Sequence, residues 1–454
     1  MKYFLQVFGC QMNLSDAERL RTVLERSGYT VTTNESEADL IAVVACAVRQ
    51  SPVDRIYGRA RRWREWKKKR PLITVLTGCV LGHDQKKLTS VFDYLFPITE
   101  LDAFSLTLAG RSHAHHENNV PTDYFFIPPK HTSFFQAFVP ISIGCNKFCS
   151  YCAVPYTRGR ETSRDPKEII HETTELIRAG YKEITLLGQN VNSYGNDFEG
   201  IALNLPGRTV HKYQRGRDGQ LEIAKRSVSQ PMNFPSLLQT IAQLPGQFWL
   251  RFITSHPYDL TDDLISVIAQ ENKVTPYLHL PIQSGSDRVL RRMNRLYSVE
   301  QYRDRVQKIR SLIPAVVLTT DIIVGFPGET ADDFQKTCLA VREFNYDLAY
   351  LAQYSPRPGT KSAEFRDDVP RLEKKKRERK LNDVLRQVAA QQNKRLVNTA
   401  TDVLFDRYKN GYAYGKTFGG KNIRVKSAHD LTGTFRNVLI TKATAWHLEG
   451  TLHD

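Results

Sequence analysis

The sequence predicts an α/β chain in three parts: an N-terminal parallel α/β domain, a central partial (β/α) barrel and a small antiparallel β-barrel at the C-terminus. Three observations carry that prediction. The segments "KYFLQVFGC", "ADLIAVVAC" and "PLITVLTGC" are apolar runs that each end on a cysteine, at Cys10, Cys46 and Cys79, with helical stretches between them. From residue 138 to residue 354, strand and helix patterns then alternate through roughly six strands. The last ~60 residues change to aromatic and β-branched alternation with frequent Gly, as in "DRYKNGYAYGKTF".

The elements follow in order. "MKYFLQVFGCQMN" lacks the basic region and small-residue cleavage site of a leader, so it reads as a first strand and the protein as cytoplasmic. Ser15-Asp16-Ala17-Glu18 has the capping-box pattern and predicts the start of the first helix, which stops near Gly28. The second helix follows Ser51-Pro52 and passes through "RIYGRARRWREWKKKR". Strand, helix, strand, helix, strand is the pattern of a parallel sheet, and such sheets place ligands at the carboxyl ends of their strands. Cys10, Cys46 and Cys79 therefore share one edge.

Residues 110–130 are rich in Pro, Asn and His and read as an exposed linker; His113, His115 and His116 could bind metal, but a polar linker accounts for them. In the centre, "AFVPISIG", "YKEITLLG", "WLRFITS", "TPYLHLPI", "AVVLTTDIIVG" and "LAYLAQY" supply the strands of an open α/β barrel. The polar stretch 196–232 interrupts them without periodicity and reads as an inserted surface loop. Residues 371–395 form a charged helix leading out of the barrel, and the tail closes as a small β-barrel.

Composition narrows the function. At 454 residues there is room for several cores, and no run of about 18 apolar residues exists to span a membrane. The 64 Lys and Arg outnumber the 48 Asp and Glu, leaving +16, which suits a polyanion such as nucleic acid. Seven cysteines in a chain of this size, read as cytoplasmic, point to metal or redox chemistry and away from a disulfide framework.

"GCNKFCSYC" sets Cys145, Cys149 and Cys152 in a C-x3-C-x2-C spacing directly after an apolar strand. Thiolates so spaced on a tight loop reach three corners of an iron–sulfur cube and leave the fourth iron open. That iron can chelate S-adenosylmethionine, whose reductive cleavage yields a 5′-deoxyadenosyl radical. A structural zinc would want four ligands, and no fourth follows at finger-like spacing.

With Tyr151 before its last Cys, this spacing is that of the radical SAM superfamily, and "GCNKFCSYCAVPYTRGRETSR" resembles the MiaB-type tRNA methylthiotransferases. "GCQMN" (9–13), "LLGQNVNSYG" (186–195), "HLPIQSGSD" (279–287), "TTDIIVGFPGET" (319–330) and "YSPRPGT" (354–360) resemble that family too. The basic tail resembles a TRAM domain, though only loosely, and the 197–232 segment is longer than the family's usual loop.

The resemblance implies a 1–117 domain carrying an auxiliary 4Fe–4S cluster on Cys10, Cys46 and Cys79. It implies a 131–393 radical SAM core with its own 4Fe–4S cluster on Cys145, Cys149 and Cys152, and a 394–454 TRAM-like RNA-binding barrel. It further implies conversion of N6-isopentenyladenosine beside the tRNA anticodon to its 2-methylthio form. One S-adenosylmethionine would methylate sulfur on the auxiliary cluster, and a second would be cleaved to activate the adenine C–H bond. The partners implied are the tRNA anticodon stem-loop, an electron donor and a sulfur source, with no membrane and with the chain acting as a monomer.

Rival readings remain at this point. Relatives that modify threonylcarbamoyladenosine in tRNA, or an aspartate of a ribosomal protein, carry "GCKVN"-like and "GCPKN"-like contexts, whereas this chain has "GCQMN". A non-catalytic iron–sulfur protein that binds RNA is the reading from another class, but carriers usually complete four-thiolate coordination. Gly188, Gln189 and Asn190 read equally as a polar βα loop or as contacts to the methionine part of S-adenosylmethionine. Gly325, Pro327 and Gly328 read as a turn and Cys338 as core. The 61–70 run, with Trp63 and Trp66, reads as a solvated helix face or as an approach to RNA by charge and stacking.

Overall fold

The computed structural model describes residues 1–46, 50–81, 88–108, 123–200 and 226–453. The first domain is a five-stranded parallel sheet in the order β2-β1-β3-β4-β5, with β1 at Lys2–Phe8, β2 at Thr30–Val31, β3 at Leu40–Cys46, β4 at Ile73–Cys79 and β5 at Tyr94–Leu95. Helix α1 (Gln11–Arg26) covers one face, packing Leu20 and Leu24 with Ala42 and Val44. Helix α2 (Gln50–Lys67) covers the other, packing Ile56 and Trp63 with Ile41 and Val43. Burial on both faces is why the central strands read as unbroken apolar runs.

The first helix begins earlier than Ser15. Its N-cap is Cys10, whose N–H donates to Asn13 Oδ1 at 3.3 Å. Ser15 and Glu18 lie inside the helix with other partners: Ser15 Oγ accepts from Arg19 at 2.9 Å, and Glu18 Oε1 from the Thr132 N–H at 3.0 Å. Nor is Trp63 a stacking surface. It is fully buried, and its indole N–H donates to Glu35 at 2.8 Å, so the run 61–70 presents charge but not that ring.

His113, His115 and His116 lie outside the described residues. The end of the stretch read as an exposed linker is partly buried: Tyr124 and Phe125, on the short helix Asp123–Phe126, pack against α1, while Phe126 is exposed.

The central domain has β6 (Gln136–Pro140), a small antiparallel pair of β7 (Ser142–Ile143) and β8 (Thr162–Ser163), then β9 (Glu183–Leu187) and β10 (Trp249–Ile253). They are followed by β11 (Tyr277–His279), β12 (Val317–Val324) and β13 (Leu348–Gln353). Two parallel sheets, β10-β9-β6 and β11-β12-β13, are joined where Leu250 bridges Val274, giving the six-stranded partial barrel that the alternation predicts. Residues 201–225 of the interrupting segment lie outside the described residues. Its first end is no surface loop, because Phe198 is fully buried, bridges Arg226, and follows an Asp197 that accepts from the Ser163 N–H at 3.1 Å, whereas residues 227–231 are irregular and mostly exposed.

Cys338 is a core residue of the helix Ala331–Phe344, and Gly325 and Gly328 make a turn with φ of 69° and 80°.

The tail closes as a five-stranded barrel, β14-β15-β16-β18-β17, from β14 (Ala400–Lys409), β15 (Tyr412–Thr417), β16 (Asn422–Lys426), β17 (Phe435–Ala443) and β18 (Leu448–Leu452). One pair departs from the antiparallel expectation: β16 and β18 run parallel. The barrel docks where Trp249 meets Phe418 and Phe435, at 5.3 and 4.9 Å between ring centres, and where Lys421 pairs with Asp347 at 2.5 Å. Among the described residues no helix is long and apolar enough to cross a membrane.

Candidate active site

Two groups of three thiols stand out, the first at the carboxyl ends of the N-terminal parallel strands. Cys46 ends β3, Cys79 ends β4, and the two are register partners. Cys10, at the N-cap of α1, sits at the positive end of the helix dipole, but desolvation and then the charge of Cys79 push its thiol above the usual range. Gly78 makes the last step of β4 possible. Its φ is +106°, and a Cβ there would stand 2.4 Å from Ala45 O. Gly78→Ala is therefore expected to cost about 3 kcal/mol from the left-handed backbone and the clash together, read as a lower denaturation midpoint. An unchanged midpoint would show that β4 does not need that approach.

The buried Cys79 thiol is pulled below the usual thiol range, first by a hydrogen bond from Cys46 and then by the guanidinium of Arg158. Arg158 Nε lies 2.8 Å from the sulfur.

The second group lies on the loop after β7. Gly144, with φ +82°, opens it where a Cβ would meet Arg160 O at 2.0 Å. Phe148 turns the chain with φ 47°, and its carbonyl accepts from Asn294 at 2.9 Å. The Ser150 N–H reaches Met293 O at 3.0 Å. These anchors hold Cys145 and Cys149 buried, with Cys152 half-buried. Burial pushes Cys145 well above the usual thiol range and Cys152 up to about 12, so a cluster held by these thiols would itself have to draw off their protons. Arg295 donates to Cys149 Sγ at 3.3 Å and to Pro281 O at 2.8 Å. Arg158, six residues after Cys152, donates to Cys79 Sγ at 2.8 Å, and Ala153 packs against Leu81, so the two groups are neighbours across the domain joint.

Around this loop the strand ends carry polar groups that lack protein partners. Gln189 Nε2, Asn190 Oδ1, both side-chain polar atoms of Asn192, Ser255 Oγ and Gln283 Oε1 are buried and unpaired among the described residues. Buried polar atoms are normally satisfied, so a row of orphans marks a place for a polar ligand. Gly188 lets the chain pass Ser142, where a Cβ would stand 2.5 Å from Oγ. Gln189 Oε1 accepts from the Gly144 N–H, tying this turn to the cysteine loop. Asn190 Nδ2 donates to Asp259 at 2.6 Å, and Asp259 pairs with Lys147 at 2.6 Å. Burial raises Glu161, in the same network, to about 8. Of the three residues read from the sequence, Gly188 shapes the turn while Gln189 and Asn190 each keep one unmet atom.

Three thiols on each side with Arg donors, and unmet amide and hydroxyl groups beside one of them, fit iron–sulfur clusters and the amino, carboxylate and hydroxyl groups of S-adenosylmethionine. Among the described residues no three of His, Cys, Asp and Glu converge on a single metal ion; the thiolates of a cube each take a different iron and stand apart.

A cavity of about 400 Å³ opens from inside the partial barrel towards the C-terminal barrel. Phe138, Thr185 and Tyr350 line it from the strands, Lys416 and Trp446 from the C-terminal barrel, and Gln11, next to Cys10, from α1.

Comparison with known proteins agrees with this layout. The radical SAM superfamily profile matches residues 139–341, and "Uncharacterized protein family UPF0004" matches residues 2–96. Proteins named tRNA-2-methylthio-N(6)-dimethylallyladenosine synthase are similar throughout. The one from Clostridium botulinum (strain Langeland) is 38% identical, covering 99% of this chain and 96% of its own. That from Dictyoglomus thermophilum is 37% identical, with 99% and 98% covered. The chain belongs to this synthase family.

Among solved structures, the radical S-adenosylmethionine methyltransferase TsrM from Kitasatospora setae, with cobalamin and a [4Fe-4S] cluster bound, shares the fold. Its TM-score is 0.53 at 13% identity, over 80% of this chain and 73% of that one. Membership of the radical SAM superfamily implies a 4Fe–4S cluster and S-adenosylmethionine for this synthase-family chain. Sequence reasoning did not single out Arg158, Arg295, Ser255, Gln283 or Lys416. Arg158 could have been suspected from its place in "PYTRGRE" just after Cys152; the others declare themselves only through contacts made far along the chain.

Proposed function

We propose that this chain converts N6-isopentenyladenosine beside the anticodon of tRNA to 2-methylthio-N6-isopentenyladenosine. The relatives' names favour that base over threonylcarbamoyladenosine or a ribosomal aspartate, and favour an enzyme over a non-catalytic RNA-binding carrier. The observation that carries the reading is the adjacency of two cysteine groups across the domain joint, where the loop bearing Cys145, Cys149 and Cys152 reaches Cys79 through Arg158.

In this reading Cys145, Cys149 and Cys152 hold one 4Fe–4S cluster, and Cys10, Cys46 and Cys79 hold a second. Gln189, Asn190, Ser255 and Gln283 orient S-adenosylmethionine. When bound, these groups supply a radical able to take hydrogen from an unreactive C–H bond, and sulfur and methyl for transfer. The residues' part is to hold the two cysteine groups near one another across the domain joint, where Arg158 reaches Cys79, and to orient S-adenosylmethionine. An electron donor and a sulfur source come from outside the chain. The working division is 1–117, 131–393 and 394–454, acting as a monomer in the cytoplasm, where tRNA is. Incubating the reconstituted protein with S-adenosylmethionine, a reductant and isopentenylated tRNA should yield the methylthio nucleoside by mass spectrometry. Its absence, with both clusters loaded, would overturn the reading.

Lys416 and Trp446 stand at the cavity rim on the C-terminal barrel, Trp446 40% exposed. Lys416→Ala is expected to reduce the slope of log affinity against log salt by about 1, as one phosphate contact is lost. Trp446→Ala should instead weaken tRNA binding by about 1–3 kcal/mol at constant slope, as a base loses its stacking partner. Filter binding across a salt series separates the two, and an unchanged slope for Lys416→Ala would remove the phosphate contact.

A further inference from the structure

Arg158 caps the short helix Val154–Thr157 on the loop that carries Cys145, Cys149 and Cys152, yet its side chain crosses into the N-terminal domain. There the guanidinium is almost wholly buried. Nε donates to Cys79 Sγ at 2.8 Å, Nη1 to Asp16 Oδ1 at 3.4 Å, and Nη2 to Asp16 Oδ2. Asp16, fully buried on α1, also accepts from Tyr124 Oη at 2.8 Å and from Asn13 Nδ2 at 3.3 Å. Asn13 completes the network. Its Oδ1 accepts from the Cys10 N–H at 3.3 Å, and its Nδ2 donates to the carbonyl of Ala45, the residue before Cys46, at 3.4 Å. One connected set of side chains thus touches Cys79 directly and reaches the backbone beside both of its companions.

Fastening two domains does not call for this arrangement. A buried ion pair is often no more stabilising than apolar side chains of the same volume, because both charges must leave water. A demand on the sulfur of Cys79 does account for it.

We propose that Arg158 is a positioning residue for the N-terminal cysteine group, supplied by the very loop that carries the other three cysteines. Its fixed positive charge, donated to Cys79 sulfur, stabilises the more reduced state of the iron–sulfur group held there and keeps the two groups in register across the joint. Hydrogen bonds to ligating sulfur and the degree of burial are established levers on cluster potential. Arg suits the task because its planar fork serves sulfur and carboxylate together and it cannot lose its proton. The inference rests on the reading of Cys10, Cys46 and Cys79 as cluster ligands.

The test is a redox titration of the loaded protein followed by electron paramagnetic resonance. Arg158→Gln combined with Asp16→Asn removes both charges at once and avoids leaving a lone buried carboxylate. The N-terminal cluster should become harder to reduce, its reduced-to-oxidised ratio at a fixed potential falling roughly tenfold, about 59 mV for a one-electron couple. The barrel cluster should not move. A Cys10, Cys46 and Cys79 triple alanine variant shows which signal belongs to which cluster. Arg158→Lys keeps the charge without the fork, should fall between the two, and decides the matter if the double variant does not take up iron. An unchanged N-terminal potential in a loaded variant would overturn the assignment of Arg158 alone. Iron for a single cluster in the unaltered protein would overturn the two-cluster reading and this proposal with it.

Discussion

Alanine at Cys145, Cys149 or Cys152, one at a time, is expected to bring 5′-deoxyadenosine formation down to background. Removing even an outer partner of a metal ligand costs about 10–100-fold, so losing one of three ligands should cost at least that much. The loop itself should survive the change. Gly144 stays tied to Gln189, Ser150 to Met293 and Phe148 to Asn294, and none of these bonds involves a thiol. The loss would then be of coordination and not of fold, which iron content and circular dichroism together would distinguish. Chromatography of the reaction mixture under reducing conditions reads the product directly. Wild-type-like cleavage by any loaded single variant would remove that thiol from the site.

The same residues indicate what a reader of the sequence could and could not have known. β3 and β4 were legible because burial on both faces writes a continuous apolar run, and their shared endpoint on cysteine followed from parallel pairing. The first helix start was misplaced because the capping pattern at residues 15–18 is local, whereas its members answer to distant partners. Glu18 is taken by Thr132, 114 residues away, and Cys10 with Asn13 does the capping. Trp63 looked available because a basic run surrounds it, yet the α2 face that carries it is the one packed on the sheet. Asp197 and Phe198 looked like loop because their periodicity is too short to register, and only their contacts with Ser163 and Arg226 make them core. The six cysteines could be picked out from spacing and resemblance. Arg158 could be suspected from its place just after Cys152, but its role could not, since its partners stand 79 and 142 positions away.

Replacing Cys10, Cys46 and Cys79 together with alanine should separate the two halves of the reaction. The variant is expected to cleave S-adenosylmethionine reductively and to form no methylthiolated adenosine at all. Every group assigned to S-adenosylmethionine belongs to the barrel: the cysteine loop, Gln189 and Asn190 after β9, Ser255 after β10 and Gln283 after β11. The cysteine loop does reach the N-terminal thiols through Arg158, which donates to Cys79 Sγ at 2.8 Å. The joint should also hold, because Arg158 loses a sulfur but keeps Asp16, and Asp16 keeps Tyr124. What the variant lacks is the N-terminal set of thiols, Cys10, Cys46 and Cys79, to hold sulfur for transfer. Metal binding can be part of folding free energy, so the comparison requires a folded variant with iron for one cluster, checked by circular dichroism and iron assay. Under those conditions 5′-deoxyadenosine should appear while nucleoside mass spectrometry finds only the unmodified isopentenyl base. Methylthiolation by a folded triple variant would reduce the N-terminal thiols to packing, and loss of cleavage along with transfer would mean that the two cysteine groups act as one centre.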